Sequence, residues 1–389
     1  HGHFPLDRVA PDPARLAEAA ALLANAERPL VIAGGGVHSS GGCAELAELQ
    51  EACSLPVATT TMGKGTVSER HPLSVGIVGY YMGFNGRTHH LRDLVTEADV
   101  VLLVGNRTNQ NGTDSWKLYP KDARYIQIDI DGEEIGRNYE ALRLAGDARL
   151  ALAALSDELK KRDLARRQAG RKALEDKIAD GHAKFLAGSE ALRTSSRAPI
   201  RPERLMEELA PRLRADDIVV ADASYSSIWI SNYLVAEEAG QRFLTPRGLA
   251  GLGWGLPMAM GAKVGNPDKR IICLAGDGGF AHCWVELETA RRMGLAVTLM
   301  VLNNQILGYQ KHAESLRFGM HTDAVHFEPV DHAAIARACG LPGIRVERAD
   351  EIGPALDEAL ANQSQTTLID VMTDPEAHAP ITLFEDLQN

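Results

Sequence analysis

The chain has 389 residues, of which 45% are hydrophobic and 24% are charged, so it is long enough for two ordinary domains and too apolar to be disordered as a whole. Its 52 acidic and 41 basic residues give a formal net charge of −11, which disfavours binding to nucleic acid. No apolar run reaches the ~18–20 residues of a membrane span, and the five cysteines, with no Cys-x-x-Cys pair, disfavour a disulfide framework or a structural zinc site. We therefore predict a cytoplasmic protein with no membrane contact.

In the first half of the chain, short β-branched runs alternate with helical patterns. Buried strands are predicted at 29–34, 98–105 and 125–131, with helices between them at 43–53 and 91–97. Apolar strands that alternate with helices are typical of a mostly parallel sheet covered on both faces. We assign residues 1–155 to this first domain.

A charged stretch at 156–200 then predicts one or two surface helices that connect two domains. A second alternating pattern fills residues 201–389. Its predicted strands are 217–222, 270–276, 296–303 and 367–372, and its helices include 283–292 and 332–339. The predicted fold class is α/β, with two tandem doubly wound, mainly parallel-sheet domains of the Rossmann-like type. Such sheets bind ligands at the carboxyl ends of their strands.

The stretch Gly276-Asp277-Gly278-Gly279 follows one buried strand and opens a helix. Glycines allow close approach of a ligand to the backbone, and the free N–H groups at a helix start favour a phosphate. A carboxylate beside a bound phosphate is a usual ligand of Mg²⁺.

Asn303-Asn304 stands one β-α-β unit later, again at the end of a predicted strand. The two strand ends are therefore expected side by side, with Asn304 offering a second oxygen to the same cation. Each motif alone is also compatible with a plain turn or strand terminus, but the pair in this order favours a diphosphate–Mg²⁺ site.

These two motifs resemble the thiamine diphosphate motif of the acetolactate synthase/pyruvate oxidase superfamily. The glycine-rich stretch 247–262 and the stretch 222–229 are similar to the segments that precede the motif in that family. Stretches in the first half are similar to the family's central domain, namely 31–36, 59–63, 71–74 and 128–131.

The resemblance implies thiamine diphosphate and Mg²⁺ as cofactors, and it implies a role for particular residues. The implied metal ligands are Asp277, Asn304 and the Ile306 carbonyl. The implied diphosphate-binding residues are Gly276, Gly278, Gly279, Ser224, Tyr225 and Ser226. Leu252 would be the apolar residue that holds the cofactor bent, with an ordinary core leucine as the alternative, and the Ala250 carbonyl would receive the aminopyrimidine.

The first of the family's three domains, which binds the pyrimidine and supplies a catalytic glutamate, has no counterpart in this sequence. We therefore expect that the chain is part of a larger enzyme, made from a split gene or a cleaved polypeptide, and that it assembles into a homo- or hetero-oligomer with a pyrimidine-domain chain or segment. The catalytic residues within this chain are unknown. His312 is a candidate proton donor, with a plain surface histidine as the alternative.

The resemblance implies an enzyme of the lyase or transferase class that decarboxylates a 2-oxo acid, ligates the resulting enamine to a second carbonyl, or does both. The alternatives are a lyase or carboligase that acts on a 2-hydroxy ketone, and a cofactor-binding subunit without catalysis of its own. Ala313 stands where acetolactate synthases carry a large tryptophan, which leaves the acceptor substrate open. FAD in the first domain also stays open, because Gly34-Gly35-Gly36 fits either a pyrophosphate or a plain tight turn.

Overall fold

The computed structural model describes residues 7–387, in which the chain forms two compact units. The first unit contains the residues up to Met82, Arg87–Phe185 and Ala236–Gly240; the second contains Gly83–Gly86, Leu186–Val235 and the residues from Gln241 onward. The domain boundaries proposed from the sequence stay a prediction, and their positions 1–6 and 388–389 lie outside the described residues. Within 7–387, no helix is long and apolar enough to cross a membrane.

The first unit is built on a six-stranded parallel sheet. Its strands are β1 (Pro29–Ala33), β2 (Val57–Thr59), β3 (Ser74–Ile77), β4 (Val100–Val104), β5 (Arg124–Asp129) and β6 (Ala141–Ala145). The helices that begin in it are α1 (Pro13–Asn25), α2 (Gly35–Ser40), α3 (Cys43–Ala52), α4 (Arg92–Thr96), α5 (Ala148–Lys160) and α6 (Ala165–Arg193). The strand order is β3-β2-β1-β4-β5-β6, and each neighbouring pair is parallel.

The central strands β1 and β4 are buried on both faces of this sheet. Val31 and Leu102 belong to one apolar core, whereas Leu30 and Val101 belong to the other. Successive side chains of a strand point to opposite faces, so a continuous apolar run is what a sheet covered on both sides needs.

The carboxyl ends of β1 and β4 pack directly against each other through glycines. The Gly34 N–H donates to the Val104 carbonyl at 2.8 Å, and the Gly36 N–H donates to the Gly105 carbonyl at 3.1 Å. A Cβ atom at position 34 would lie 2.2 Å from the Gly105 carbonyl oxygen, which is closer than such atoms can approach. This backbone contact accounts for glycine at position 34 without any ligand.

Gly34→Ala should therefore lower the free energy of unfolding by about 3 kcal/mol or more, because the clash is with backbone rather than with a flexible side chain. Urea unfolding of the full chain measures this. Gly170→Ala on α6 is the matched control, since a Cβ there meets nothing within 4 Å and should raise stability by about 0.5–1 kcal/mol. An unchanged stability of Gly34→Ala would contradict the packing.

A buried ion pair lies within the first unit. The side chains of Lys64 and Glu69 are 1% and 4% exposed, and the Lys64 Nζ lies 2.6 Å from Glu69 Oε2. The same oxygen accepts the Ala236 N–H at 2.9 Å. Burial lowers the pKa of the Arg87 guanidinium, and attraction to Glu69 opposes this shift. The Glu69 carboxylate thus pairs with the buried Lys64 and also attracts the half-buried Arg87.

The second unit has a six-stranded parallel sheet of its own. Its strands are β7 (Ile218–Ala221), β8 (Phe243–Leu244), β9 (Ile271–Gly276), β10 (Thr298–Asn303), β11 (Gly343–Val346) and β12 (Thr367–Met372). Its helices are α7 (Pro202–Leu209), α8 (Tyr225–Tyr233), α9 (Gly255–Gly265), α10 (Asp277–Phe280), α11 (Glu286–Arg292), α12 (Gly308–Phe318), α13 (His332–Ala338) and α14 (Ile352–Ala361). The strand order is β11-β12-β10-β9-β7-β8, again with parallel neighbours. The predicted fold class, two tandem Rossmann-like α/β domains, is confirmed.

Candidate cofactor site

Three neighbouring strands of the second unit end in polar residues. β9 pairs with β7 on one side and with β10 on the other, and Leu302 of β10 lies beside Gly276 of β9. Asp222 follows β7, Asp277 follows β9 and Asn304 follows β10. The expected side-by-side position of the ends of β9 and β10 is confirmed.

Asp277 is held by backbone N–H groups at the start of the one-turn helix α10. Its Oδ1 accepts the Gly278 N–H at 2.7 Å, its Oδ2 accepts the Gln305 N–H at 2.6 Å, and the Asn304 N–H also bonds to it. Burial raises the pKa of the Asp277 carboxyl to about 6, and the charged group that acts on it is a second carboxylate, Asp370. Within residues 7–387 no cationic side chain forms an ion pair with Asp277, whereas Asp370 pairs with Arg345 at 3.0 Å.

The two consecutive asparagines after β10 differ in their surroundings. Asn303 is buried, and its Nδ2 donates to Asp370 Oδ1 and to the Val330 carbonyl, both at 2.9 Å. Asn304 is half-buried, and its Oδ1 accepts the Ile306 N–H at 3.3 Å. Asn303 therefore fixes the strand end, whereas Asn304 has a side chain that a ligand can reach.

The segment after Asn304 is held in place by backbone hydrogen bonds to residues 325–327. The Leu307 N–H donates to the Val325 carbonyl at 2.8 Å, and the Phe327 N–H donates to the Gln305 carbonyl at 2.9 Å. Ile306 lies between these two bonds, opposite His326 in an antiparallel bridge. No N–H group of the described backbone donates to the Ile306 carbonyl, so that oxygen is free for another partner.

Asp222 connects the end of β7 to the loop that begins α9. Its carboxylate accepts the N–H groups of Ala223 at 2.7 Å, Gly253 at 3.0 Å and Trp254 at 3.3 Å. Burial raises the pKa of this carboxyl, although the backbone N–H groups oppose the shift. A Cβ atom at position 279 would lie 2.4 Å from Asp222 Oδ2, so glycine there allows Asp222 and α10 to pack closely.

Ser224 and Ser226 lie between β7 and the first turn of α8. The Ser224 carbonyl accepts bonds from the Ser227 hydroxyl at 2.8 Å and from Arg247 Nη2 at 2.9 Å. Ser226 is buried, and its Oγ lies 3.9 Å from the position of a Cβ built on Gly276. Arg247 thus positions the serine loop from the glycine-rich stretch.

Two family models match this chain. The model of the thiamine pyrophosphate enzyme central domain matches residues 16–155, and that of the C-terminal TPP-binding domain matches residues 222–371. The chain belongs to the thiamine pyrophosphate enzymes. The resemblance seen in the sequence is therefore confirmed in both halves.

Curated relatives agree with this assignment. The chain is 32% identical over 379 residues to a probable acetolactate synthase large subunit of Methanococcus aeolicus, covering 94% of this chain and 61% of the relative. It is also 32% identical over 392 residues to a sulfoacetaldehyde acetyltransferase of Roseovarius nubinhibens, covering 94% of this chain and 63% of the relative. The chain thus spans less than two thirds of the length of these thiamine pyrophosphate enzymes.

The residues at the three strand ends fit the magnesium diphosphate of a thiamine pyrophosphate enzyme. Mg²⁺ prefers oxygen ligands in octahedral geometry and shares them with a bound phosphate. Asp277 supplies a buried anionic oxygen without a cation, and the Ile306 carbonyl is unused. Within residues 7–387, no three His, Cys, Asp or Glu side chains cluster as a metal site, so apart from Asp277 the ligands of Mg²⁺ would be amide, carbonyl and diphosphate oxygens.

Backbone strain marks the same region. Ser224, Ala250 and Gln305 have φ values of 66°, 60° and 59°, in the left-handed region that non-glycine residues rarely adopt. Such residues cost of order 1–3 kcal/mol each and cluster at functional sites. All three stand at or beside positions that the family resemblance assigns to the cofactor.

Leu252 is 39% exposed, next to Leu249 and Trp254, which are 85% and 52% exposed. The alternative that Leu252 is an ordinary core leucine is therefore wrong. Burial of these apolar surfaces by a ligand or another chain would be favourable.

His312 is 3% exposed, so the alternative of a surface histidine is wrong. Its Nδ1 forms a short hydrogen bond with the Tyr225 hydroxyl, which also accepts the Ala379 N–H. Burial lowers the pKa of His312 to about 3, so the ring is neutral near pH 7 and Tyr225 donates to it. The Nε2 atom has no hydrogen-bond partner in the described chain. The predicted roles of Tyr225 on the diphosphate and of His312 in proton transfer stay predictions.

The first unit leaves the question of FAD open. The N–H groups of Gly34 and Gly36 already donate to the carbonyls of Val104 and Gly105. These two donors are therefore not available to a pyrophosphate in this conformation.

Sequence reasoning did not single out Asp222 or Arg247 as residues that shape the site. Asp222 follows β7 as Asp277 follows the neighbouring strand β9. This shared position at a strand end was the sequence signal that could have identified Asp222. The role of Arg247 depends on a contact with Ser224 made 23 residues away along the chain, which no local pattern reveals.

Proposed function

We propose that this chain carries the diphosphate-binding part of a thiamine diphosphate-dependent enzyme that decarboxylates a 2-oxo acid, ligates the product to a second carbonyl, or does both. The observation that carries the proposal is the convergence of the Asp277 carboxylate with the N–H groups of Asn304 and Gln305. The names of the relatives, acetolactate synthase large subunit among them, support this type of reaction.

In this proposal, oxygens from the ends of two strands hold Mg²⁺. Asp277, Asn304 and the Ile306 carbonyl are the metal ligands, and the diphosphate binds to Gly276, Gly278, Gly279, Ser224, Tyr225 and Ser226. The Gly279 N–H suits an anion because it lies in the first turn of α10, whereas the Gly278 N–H donates to Asp277 Oδ1 at 2.7 Å in this structure. The Asp277 charge, which burial makes costly, is compensated when the cation binds.

In this proposal, the glycine-rich loop orients the cofactor. Leu252 supports the bent cofactor, and the Ala250 carbonyl accepts the aminopyrimidine amine. When bound, thiamine diphosphate supplies an electron sink for the negative charge that develops at the substrate carbonyl carbon. Leu252 and the Ala250 carbonyl would thus hold the cofactor in a single orientation, which lowers the entropic cost of the reaction.

We further propose that the pyrimidine-activating glutamate comes from a pyrimidine-domain chain or segment, in a homo- or hetero-oligomer located in the cytoplasm. Mixing this chain with the part of the Methanococcus aeolicus relative that it does not span should yield turnover of a 2-oxo acid that depends on thiamine diphosphate and Mg²⁺. Full activity of the present chain alone would contradict this division of labour. Cofactor binding without turnover in any such mixture would favour the binding-subunit alternative.

Leu252→Ala tests the orientation role separately from folding. We expect binding of thiamine diphosphate about tenfold weaker, or about 1.4 kcal/mol, with little change in thermal unfolding because the side chain is 39% exposed. Leu256→Ala is the contrasting control: this leucine is fully buried, so its truncation should cost about 2–5 kcal/mol of stability. Unchanged cofactor affinity in Leu252→Ala would exclude the proposed contact.

A further inference from the structure

Two histidines that the proposed function does not use face each other beyond the end of α12. His321 Nε2 and His326 Nε2 are 3.3 Å apart, and their ring centroids are 5.4 Å apart. His326 is exposed and His321 is half-buried, so both rings are accessible.

The hydrogen bonds of Ser315 determine which nitrogen of His321 carries the proton. The Ser315 hydroxyl donates its single proton to the Lys311 carbonyl at 2.8 Å. Its contact with His321 Nδ1 at 3.3 Å must therefore have the histidine as donor. The lone pair of His321 is then on Nε2, which points at His326.

This arrangement is typical of a metal-ligating histidine. Such a histidine usually donates its other ring N–H to an oxygen, which fixes the tautomer and the ring orientation. In a tetrahedral zinc site with Zn–N bonds of about 2.0–2.1 Å, two ligand nitrogens lie about 3.3 Å apart. The 3.3 Å between His321 Nε2 and His326 Nε2 matches this distance between two zinc ligands.

The local charge also favours a cation. The Glu314 carboxylate accepts the Thr322 N–H at 2.8 Å, and its pKa is lowered by hydrogen bonds from Gln310 and Thr322 and, to a smaller extent, by His321. A carboxylate that stays ionised near the pair attracts a divalent ion. Glu314 is a neighbour of the pair rather than a third ligand, in keeping with the absence of a three-ligand cluster in residues 7–387.

We propose that His321 and His326 form a two-histidine site for a divalent transition-metal ion such as Zn²⁺, with water completing the coordination. Imidazole nitrogens suit Zn²⁺ and discriminate against Mg²⁺, which prefers oxygen. The site is thus chemically distinct from the Asp277 site, and it does not depend on the proposed function. His326 gives up its hydrogen bond to His321 and carries its proton on Nδ1 when the metal binds.

The proposed histidine site lies on the segment that packs against the proposed cofactor site. His326 lies opposite Ile306 in the antiparallel bridge, and the Phe327 ring lies 3.0 Å from the position of a Cβ built on Gly278. A metal that joins residues 321 and 326 therefore fixes the segment that covers the proposed diphosphate loop.

The test is titration of the full chain with Zn²⁺ in the presence of saturating Mg²⁺, followed by calorimetry and thermal unfolding. We expect saturable binding and a rise in Tm of about 2–4 °C. His321→Ala or His326→Ala should weaken binding at least tenfold, and Ser315→Ala, which removes the orienting oxygen, should weaken it about tenfold. His90→Ala, at an exposed histidine of the first unit, is the matched control and should bind like the parent.

Comparing the variants also distinguishes the proposed site from zinc binding at other cysteine or histidine side chains. The Cys43 thiol lies 3.5 Å from His38 Nδ1 in the first unit, and zinc bound there would persist in every variant. Thermal unfolding without metal shows whether His321→Ala and His326→Ala are folded. The proposal is overturned if the parent does not bind Zn²⁺, or if both histidine variants bind it with the parent's affinity.

Discussion

Asp277→Asn should weaken the Mg²⁺-dependent binding of diphosphate and of thiamine diphosphate at least ~100-fold, a loss of about 2.7 kcal/mol. The amide keeps an oxygen for the Gln305 N–H but removes the one anionic oxygen proposed for the cation. Mg²⁺ binds weakly to a site without a carboxylate. Calorimetric titration with and without Mg²⁺ measures the effect, and thermal unfolding reports whether the variant is folded.

A matched control lies on the helix that follows the motif. Glu288 is exposed and forms an i,i+4 pair with Arg292 at 3.0 Å, so Glu288→Gln removes one negative charge from the same region without touching the strand end. Its diphosphate affinity should equal that of the parent. If Asp277→Asn also binds with parental affinity, Mg²⁺ is not held at the end of β9, and the proposed site is wrong.

Glu69→Gln should lower the free energy of unfolding by about 3–5 kcal/mol, because it removes the carboxylate that pairs with the buried Lys64 ammonium. Lys64→Met should cost less, since Glu69 then keeps Arg87 as a partner. A larger loss of unfolding free energy in Glu69→Gln than in Lys64→Met is expected because the Glu69 carboxylate attracts both cations. Urea unfolding of both variants and of the double variant measures the individual costs and their coupling.

The pH dependence gives a second readout of the same group. Burial alone would raise the pKa of the Glu69 carboxyl, but attraction to Lys64 and Arg87 outweighs it and lowers the pKa below the ordinary 4.5. The stabilisation from this charge is therefore present above about pH 4.5 and is lost as the pH falls further. Glu18→Gln, in an exposed pair with Arg15, should change stability by less than about 1 kcal/mol. Equal costs for Glu18→Gln and Glu69→Gln would contradict the buried cluster.

Seven of the twelve strands in the described part of the chain were predicted from the sequence. β1, β4, β5, β7, β9, β10 and β12 all read as apolar β-branched runs, and the structure contains each of them. The strands without such a run were not predicted. β2 and β3 are buried but have only three and four residues, β8 has two residues, and β6 and β11 are partly exposed. Their hydrophobic signal is therefore short or interrupted. These strands depend on pairing with a neighbour more than on their own composition.

Some features of the candidate site could also be predicted from the sequence, and others could not. Asp277 and Asn304 were predictable together, because parallel strands one β-α-β unit apart end at the same edge of a sheet. The burial of His312 was not predictable, since it depends on Tyr225 and on chain that returns from residue 378, whose ring lies 4.1 Å away. The exposure of Leu252 likewise follows from the loop's tertiary position rather than from its apolar neighbours.

The carboxylate of Asp222 ties the chain at 253–254 to the tip of β7 through two main-chain amides. Because the chain's own groups make this anchoring, one end of the loop that presents Leu252 is preorganised. An incoming ligand then pays little conformational entropy to order that end, and more of its contact energy is retained as affinity.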